Sequence, residues 1–108
     1  MAMYRNKNDD TIIRGSEFKV NINMDAIDDY HMEDVDFFCT FKAGGKGVNV
    51  QKSGMVKVDA DNYLAPLDST DLGKGALTIR YETDIPDEAF ADGLRHEIIA
   101  IPTKIKIV

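Results

Sequence analysis

The sequence predicts an all-β fold, a two-sheet antiparallel sandwich of about seven or eight short strands with one or two short helical turns. Three observations lead there. Apolar and polar residues alternate with a period of two over several stretches, which is the signature of strands buried on one face. Turn residues break those stretches every 8 to 12 residues or so, a spacing that favours a sandwich over a helical or α/β domain. The 108 residues suit one core and leave no room for two.

Residues 1–11 carry little pattern and are read as an amino-terminal arm, mobile or ordered against a neighbouring chain. Residues 12–108 form the single sandwich domain. Phe18, Val20 and Ile22 share one strand face against Lys19, Asn21 and Asn23 on the other. Val35, Phe37, Cys39 and Phe41 repeat that pattern. Gly44, Gly45 and Gly47 then supply a hairpin turn in which positive φ meets no Cβ strain, with Val48 to Gln51 as the return strand. Ser53-Gly54 turns the chain before Met55 to Val58, and Asp61-Asn62 does so before Tyr63 to Leu67.

Asp68 to Gly73 reads as one helical turn. Asp68 or Ser69 is suited to capping its free amides, and Gly73 to a left-handed closing position. Leu77, Ile79 and Tyr81 point one way in the next strand, with Thr78 and Arg80 opposite. Pro86 to Phe90 has a proline and acids fit for a helix start, but Asp92-Gly93 limits it to a turn or two, so the segment reads as a loop insertion. Leu94 to Ile101 and Thr103 to Val108 give two final strands, broken at Pro102 because proline has no N–H for a ladder bond.

Hydrophobic residues at 44% and charged residues at 30% are a globular balance rather than a disordered one. The net charge of −6 opposes a phosphate backbone, and the thirteen Lys and Arg are scattered, so nucleic acid is not an expected partner. The nearest grouping, Lys104 and Lys106, reads as one face of a terminal edge strand guarded against aggregation. Apolar stretches such as Ile98 to Pro102 fall well short of the ~20 residues of a helical membrane span. With Cys39 as sole cysteine and no leader-like opening, the expectation is synthesis in a reducing cytoplasm and no membrane partner.

Catalytic groups are searched for and none is assigned. Cys39 falls on the inward face beside Phe37 and Phe41, where a thiol packs as a small hydrophobe. His31 lies in an acidic loop and His96 in a strand, and neither belongs to a recognisable motif. The stretch Asp25, Asp28, Asp29, Glu33, Asp34 and Asp36 is acidic enough to suggest a hard cation, but its spacing is unspecific and it reads as a solvated loop. Asp59 to Leu64 lacks the glycine of a calcium loop at its sixth position. Gly44-Gly45-Lys46-Gly47 lacks both the Walker spacing and a following helix. Asp28 with Glu33 is a carboxylate pair of the kind glycoside hydrolysis uses, with no cleft predicted around it. Tyr30, Tyr63 and Tyr81 form no stacking platform visible in the sequence. No cofactor or metal is expected.

Taken together, Arg14 to Val20, Asp34-Val35-Asp36-Phe37, Asp61 to Asp68, Leu72-Gly73-Lys74-Gly75, Ile85-Pro86-Asp87 and Asp92 to Arg95 resemble small Ig-like β-sandwich proteins of Bacteroides-type prophages. The layout is also similar to the amino-terminal domain of phage baseplate upper proteins. The resemblance covers roughly residues 12 to 105, and its motifs are turn and strand signatures that carry no catalytic or binding residue with them. It implies an Ig-like sandwich and a non-enzymatic structural or assembly role in a phage or prophage tail or baseplate, as an adaptor or small subunit. The partners it implies are copies of the chain or other particle subunits. Thr103 to Val108 and the amino-terminal arm are the candidate segments for adding a strand to a neighbour. The alternative function is recognition of a glycan or cell-surface ligand, which calls for exposed tyrosines beside carboxylates.

Overall fold

The computed structural model describes residues 11–24 and 30–108. Within them, short strands follow one another as β1 (Thr11–Ile12), β2 (Glu17–Asn23), β3 (Asp36–Ala43), β4 (Lys46–Gln51) and β5 (Val56–Asp59), then β6 (Asn62–Asp68), β7 (Gly75–Ala76), β8 (Thr78–Pro86), β9 (Leu94–Ile101) and β10 (Lys106–Ile107). Three of these are two-residue pieces; the other seven are the strands the alternation announces. One sheet has the order β2-β6-β5, the second β4-β3-β8-β9, and a small third sheet β1-β10-β7. All pairings are antiparallel except β1 with β10.

The period-two patterns fix which side chains meet. Val20 and Ile22 of β2 and Tyr63, Ala65 and Leu67 of β6 face Phe37, Cys39 and Phe41 of β3 and Ile79 and Tyr81 of β8 in one continuous core. The Phe37 ring bridges the two sheets, edge-on to Tyr63 at 5.2 Å between centroids and stacked on Tyr81 at 5.1 Å. Ile12, Leu77, Ile105 and Ile107 extend the same core beneath the small sheet. Each such Leu, Ile or Phe contributes about 1.5–3 kcal/mol through removal from water, which offsets the entropy of ordering the strands.

The turns follow the chemistry of their residues. Gly44 (φ 56°) and Gly45 (φ 80°) join β3 to β4 in a two-residue loop with both φ positive, as the twist of a tight hairpin requires. The turn at Ser69–Asp71 is a 3-10 turn, with the Asp68 carboxylate accepting from the Thr70 N–H at 3.0 Å. Ser69 is fully buried and satisfied. Its Oγ accepts from the Gly15 N–H at 2.7 Å, and its own N–H donates to the Ser16 carbonyl at 3.0 Å. Arg14 secures the same turn by donating from Nε to the Leu72 carbonyl at 2.7 Å.

Three local expectations change. Gly73 does not adopt the left-handed closing conformation; its constraint is proximity. A Cβ on Gly73 would stand 2.5 Å from the Gly44 carbonyl oxygen, and one on Gly44 would stand 2.5 Å from that of Lys74. The carboxyl-terminal strand is not an edge. Lys106 and Ile107 pair with β1 on one side and β7 on the other, so Thr103 to Val108 has no free ladder to offer at its paired residues, and Lys104 and Lys106 guard no edge there. The loop read at residues 86–93 is present: Pro86 is the last residue of β8, and residues 87–93 close a hairpin between β8 and β9. Two further 3-10 turns, Met32–Asp34 and Lys52–Gly54, stand where loop and turn were expected. The anticipated arm lies outside the described residues except for Thr11, which is paired in β1.

Candidate functional site

The groups with catalytic potential are spread apart, and local structure engages them. Cys39 is fully buried on β3, and burial pushes its thiol up to about 12, so it carries no thiolate at neutral pH. His31 precedes the Met32–Asp34 turn with Nδ1 2.9 Å from Asp61 Oδ2. The Asp61 carboxylate raises the imidazole above its ordinary value, through the hydrogen bond first and its charge second. Asp61 also accepts from the Met32 N–H at 3.2 Å.

The run Asp59 to Leu64 comprises the turn between β5 and β6 and the first residues of β6. Asp59 Oδ1 accepts from the Asp61 N–H at 3.0 Å and from Asn62 Nδ2 at 2.8 Å, which holds its carboxyl below the usual range. In the acidic stretch, Glu33 pairs with Lys57 at 2.6 Å and Asp36 accepts from the Phe37 N–H at 3.1 Å; Asp25, Asp28 and Asp29 lie outside the described residues. Among the described residues no group of three or more His, Cys, Asp or Glu is placed to hold a metal ion. Tyr63 and Tyr81 are buried and Tyr30 is half-buried. The Tyr81 hydroxyl is driven far above its ordinary ionisation, chiefly by burial and then by the neighbouring Tyr30.

One lysine has a role that no motif signals. Lys52 Nζ donates to the carbonyls of Met32 (3.1 Å), Glu33 (3.0 Å) and Val35 (2.6 Å), and lies 5.6 Å from the Phe37 ring centroid and 5.8 Å from that of Tyr63. A single ammonium, supplied from beyond β4, thereby satisfies the carbonyls of the acidic loop's 3-10 turn and rests on the aromatic bridge of the core. It closes this part of the sandwich structurally.

The β8–β9 hairpin differs. β3 pairs with β8 only as far as Asp84, whereas β8 and β9 continue to Pro86 opposite Leu94, so the hairpin runs past its sheet. Its loop is tightly bonded: Asp87 N–H donates to the Gly93 carbonyl at 2.9 Å, Gly93 N–H to the Phe90 carbonyl at 2.9 Å, and Gly93 takes φ 77°. Arg95 donates to Asp87 Oδ2 at 2.7 Å and to Glu97 Oε2 at 2.8 Å. With its polar groups engaged, the hairpin still exposes Phe90 (48%), Leu94 (41%) and Ile98 (56%).

No family model, curated protein or solved structure matches the chain.

On the outer face of the hairpin, His96 sits between two carboxylates, Nδ1 2.7 Å from Asp84 Oδ1 and Nε2 3.2 Å from Glu82 Oε1, while Arg80 Nε donates to Glu82 Oε2 at 3.1 Å. Both ring nitrogens face acceptors, so the imidazolium is the favoured form, and the hydrogen bonds to Asp84 and then Glu82 raise its pKa. A neutral imidazole can donate to only one of these carboxylates. The histidine is therefore a bridging group of the sheet surface. Strand pairing accounts for the triad: Asp84 is directly opposite His96, and Glu82 is two residues away on the same face.

Proposed function

We propose that the chain is a non-enzymatic structural or assembly module, a component of a phage or prophage tail or baseplate. The observation that carries the assembly reading is the β8–β9 hairpin, whose hydrogen bonds and ion pairs are satisfied within the chain while Phe90, Leu94 and Ile98 remain exposed. A rigid, apolar projection of this kind is suited to insertion against another protein. The non-enzymatic part rests on the un-ionised, buried Cys39 and on histidines bonded to turn and sheet carboxylates.

Support for the phage attribution is the sequence resemblance. It is accompanied by a strand order, β2-β6-β5 facing β4-β3-β8-β9, that corresponds to the B-E-D and C′-C-F-G arrangement of an Ig-like sandwich. The ligand-recognition alternative calls for exposed tyrosines beside carboxylates, and among the described residues no tyrosine is exposed.

The test is mass spectrometry on gradient-purified particles released from cells that encode the chain. The chain is expected at a fixed ratio to the tail proteins. Complete particles that lack it would overturn the attribution.

A further inference from the structure

We infer that the free edge of β9 is a contact between two copies of this chain, paired antiparallel about a two-fold axis at His96, so that two four-stranded sheets become one of eight strands. This inference rests on the assembly reading and names its first partner.

The edges of the two large sheets are not equivalent. β5 is four residues long, shifts register between Lys57 and Asp59, and carries Lys57 at its middle. β4 opens with Lys46-Gly47, and the outward residues of β2 are Glu17, Lys19, Asn21 and Asn23. Bulges, lysines and short or polar strands of this kind discourage pairing with another chain. β9 has none of them. It runs eight residues from Leu94 to Ile101 in unbroken register with β8, contains no lysine or proline, and has no partner on its other side among the described residues.

β9 does carry charges, and their order makes it self-complementary. In an antiparallel pair centred on His96, Arg95 of each copy lies opposite Glu97 of the other, and Leu94 lies opposite Ile98. Both charge pairs join opposite signs, and both apolar pairs join side chains that are exposed in the single chain. Moving the centre by one residue on the same chain, to Glu97, sets Glu97 against Glu97, which like-charge repulsion disfavours. The charges of β9 thus disfavour centres at Arg95 and Glu97, and the centre at His96 is the one that brings Arg95 opposite Glu97. The two His96 rings meet near the axis, but each leans toward Asp84 and Glu82 of its own β8 and so away from the shared edge.

The experiment is analytical ultracentrifugation of the full chain across a concentration series, with Arg95→Glu, Glu97→Arg and an equimolar mixture of the two. Wild type is expected to pass from the 12.0 kDa chain to twice that mass as concentration rises. Each single variant places like charges opposite each other twice and should raise the dissociation constant about ten-fold or more. The mixture restores opposite charges in both pairs, so it should dimerise where neither variant alone does, a rescue that a folding defect cannot produce. A wild-type chain that stays monomeric throughout, single variants that dimerise as wild type does, or a mixture without rescue would each overturn the inference. None of these outcomes bears on the particle measurement above, so the β9 contact and the assembly reading fail separately.

Discussion

The Lys52 corner and the β8–β9 hairpin solve the same problem in opposite ways. At the corner, a charged side chain from one loop satisfies the carbonyls of another and covers the aromatic bridge beneath them, so the chain finishes its own surface. At the hairpin, ion pairs and loop hydrogen bonds complete the polar groups, and the apolar ones stay in water. The difference separates two uses of local order. One region spends it on the stability of the fold, and the other holds an apolar surface in a fixed shape.

Substitutions should therefore divide between loss of stability at the corner and loss of association at the hairpin. The largest effect is expected from Phe37→Ala, which empties the ring site shared with Tyr63 and Tyr81; unfolding in denaturant should show about 3–5 kcal/mol lost. Lys52→Met keeps the apolar stem but strips the ammonium from three carbonyls, at a cost of about 1–3 kcal/mol in the same assay. If Lys52→Met proves neutral, the corner is held by apolar packing alone. Phe90→Ser at the hairpin tip should change unfolding free energy by no more than about 0.5 kcal/mol. Incorporation into particles, measured for the same variant, should fall. A large stability loss there would mean that the tip is part of the fold and not a surface for a partner.

The smallest effect concerns pH. Because folding raises the pKa of His96, its contribution to stability is fully present below the ordinary 6.5 and is lost as pH rises through the raised value. Melting temperature should fall over that window more in wild type than in His96→Gln. His31, raised by Asp61, acts with the same sign, so His31→Gln should remove a separate part of the slope. Equal slopes in wild type and the double variant would show that neither carboxylate contact persists in solution.

β2, β3 and β8 were legible because each has one mostly buried and one mostly exposed face, which writes period two directly into the residues from Phe18 to Ile22, Phe37 to Phe41 and Leu77 to Tyr81. Cys39 could be placed in the core by the same reasoning. The carboxyl-terminal segment was misread as an edge because alternation tells which way side chains point and nothing about which strands flank them. Its pairing with both β1 and β7 depends on contacts distant in sequence. Lys52 was invisible for a similar reason: its three acceptors are backbone carbonyls, and carbonyls have no identity in a sequence. The hairpin surface gave half a signal. Leu94, Ile98 and Phe90 are plain to see, but in isolation they look like ordinary core residues until β9 is known to be an edge.

The close approach of Gly44 and Gly73 has a consequence for how this protein varies. Each backbone occupies the space where the other's side chain would stand, and the Gly73 N–H also donates to the Ala43 carbonyl at 2.8 Å. The two positions therefore behave as a single heritable unit: a methyl group gained at either is blocked by the main chain of the other, and no substitution at the second glycine can relieve it. Related chains should keep both glycines while the turn residues around them drift, which makes the pair a fingerprint for recognising distant kin.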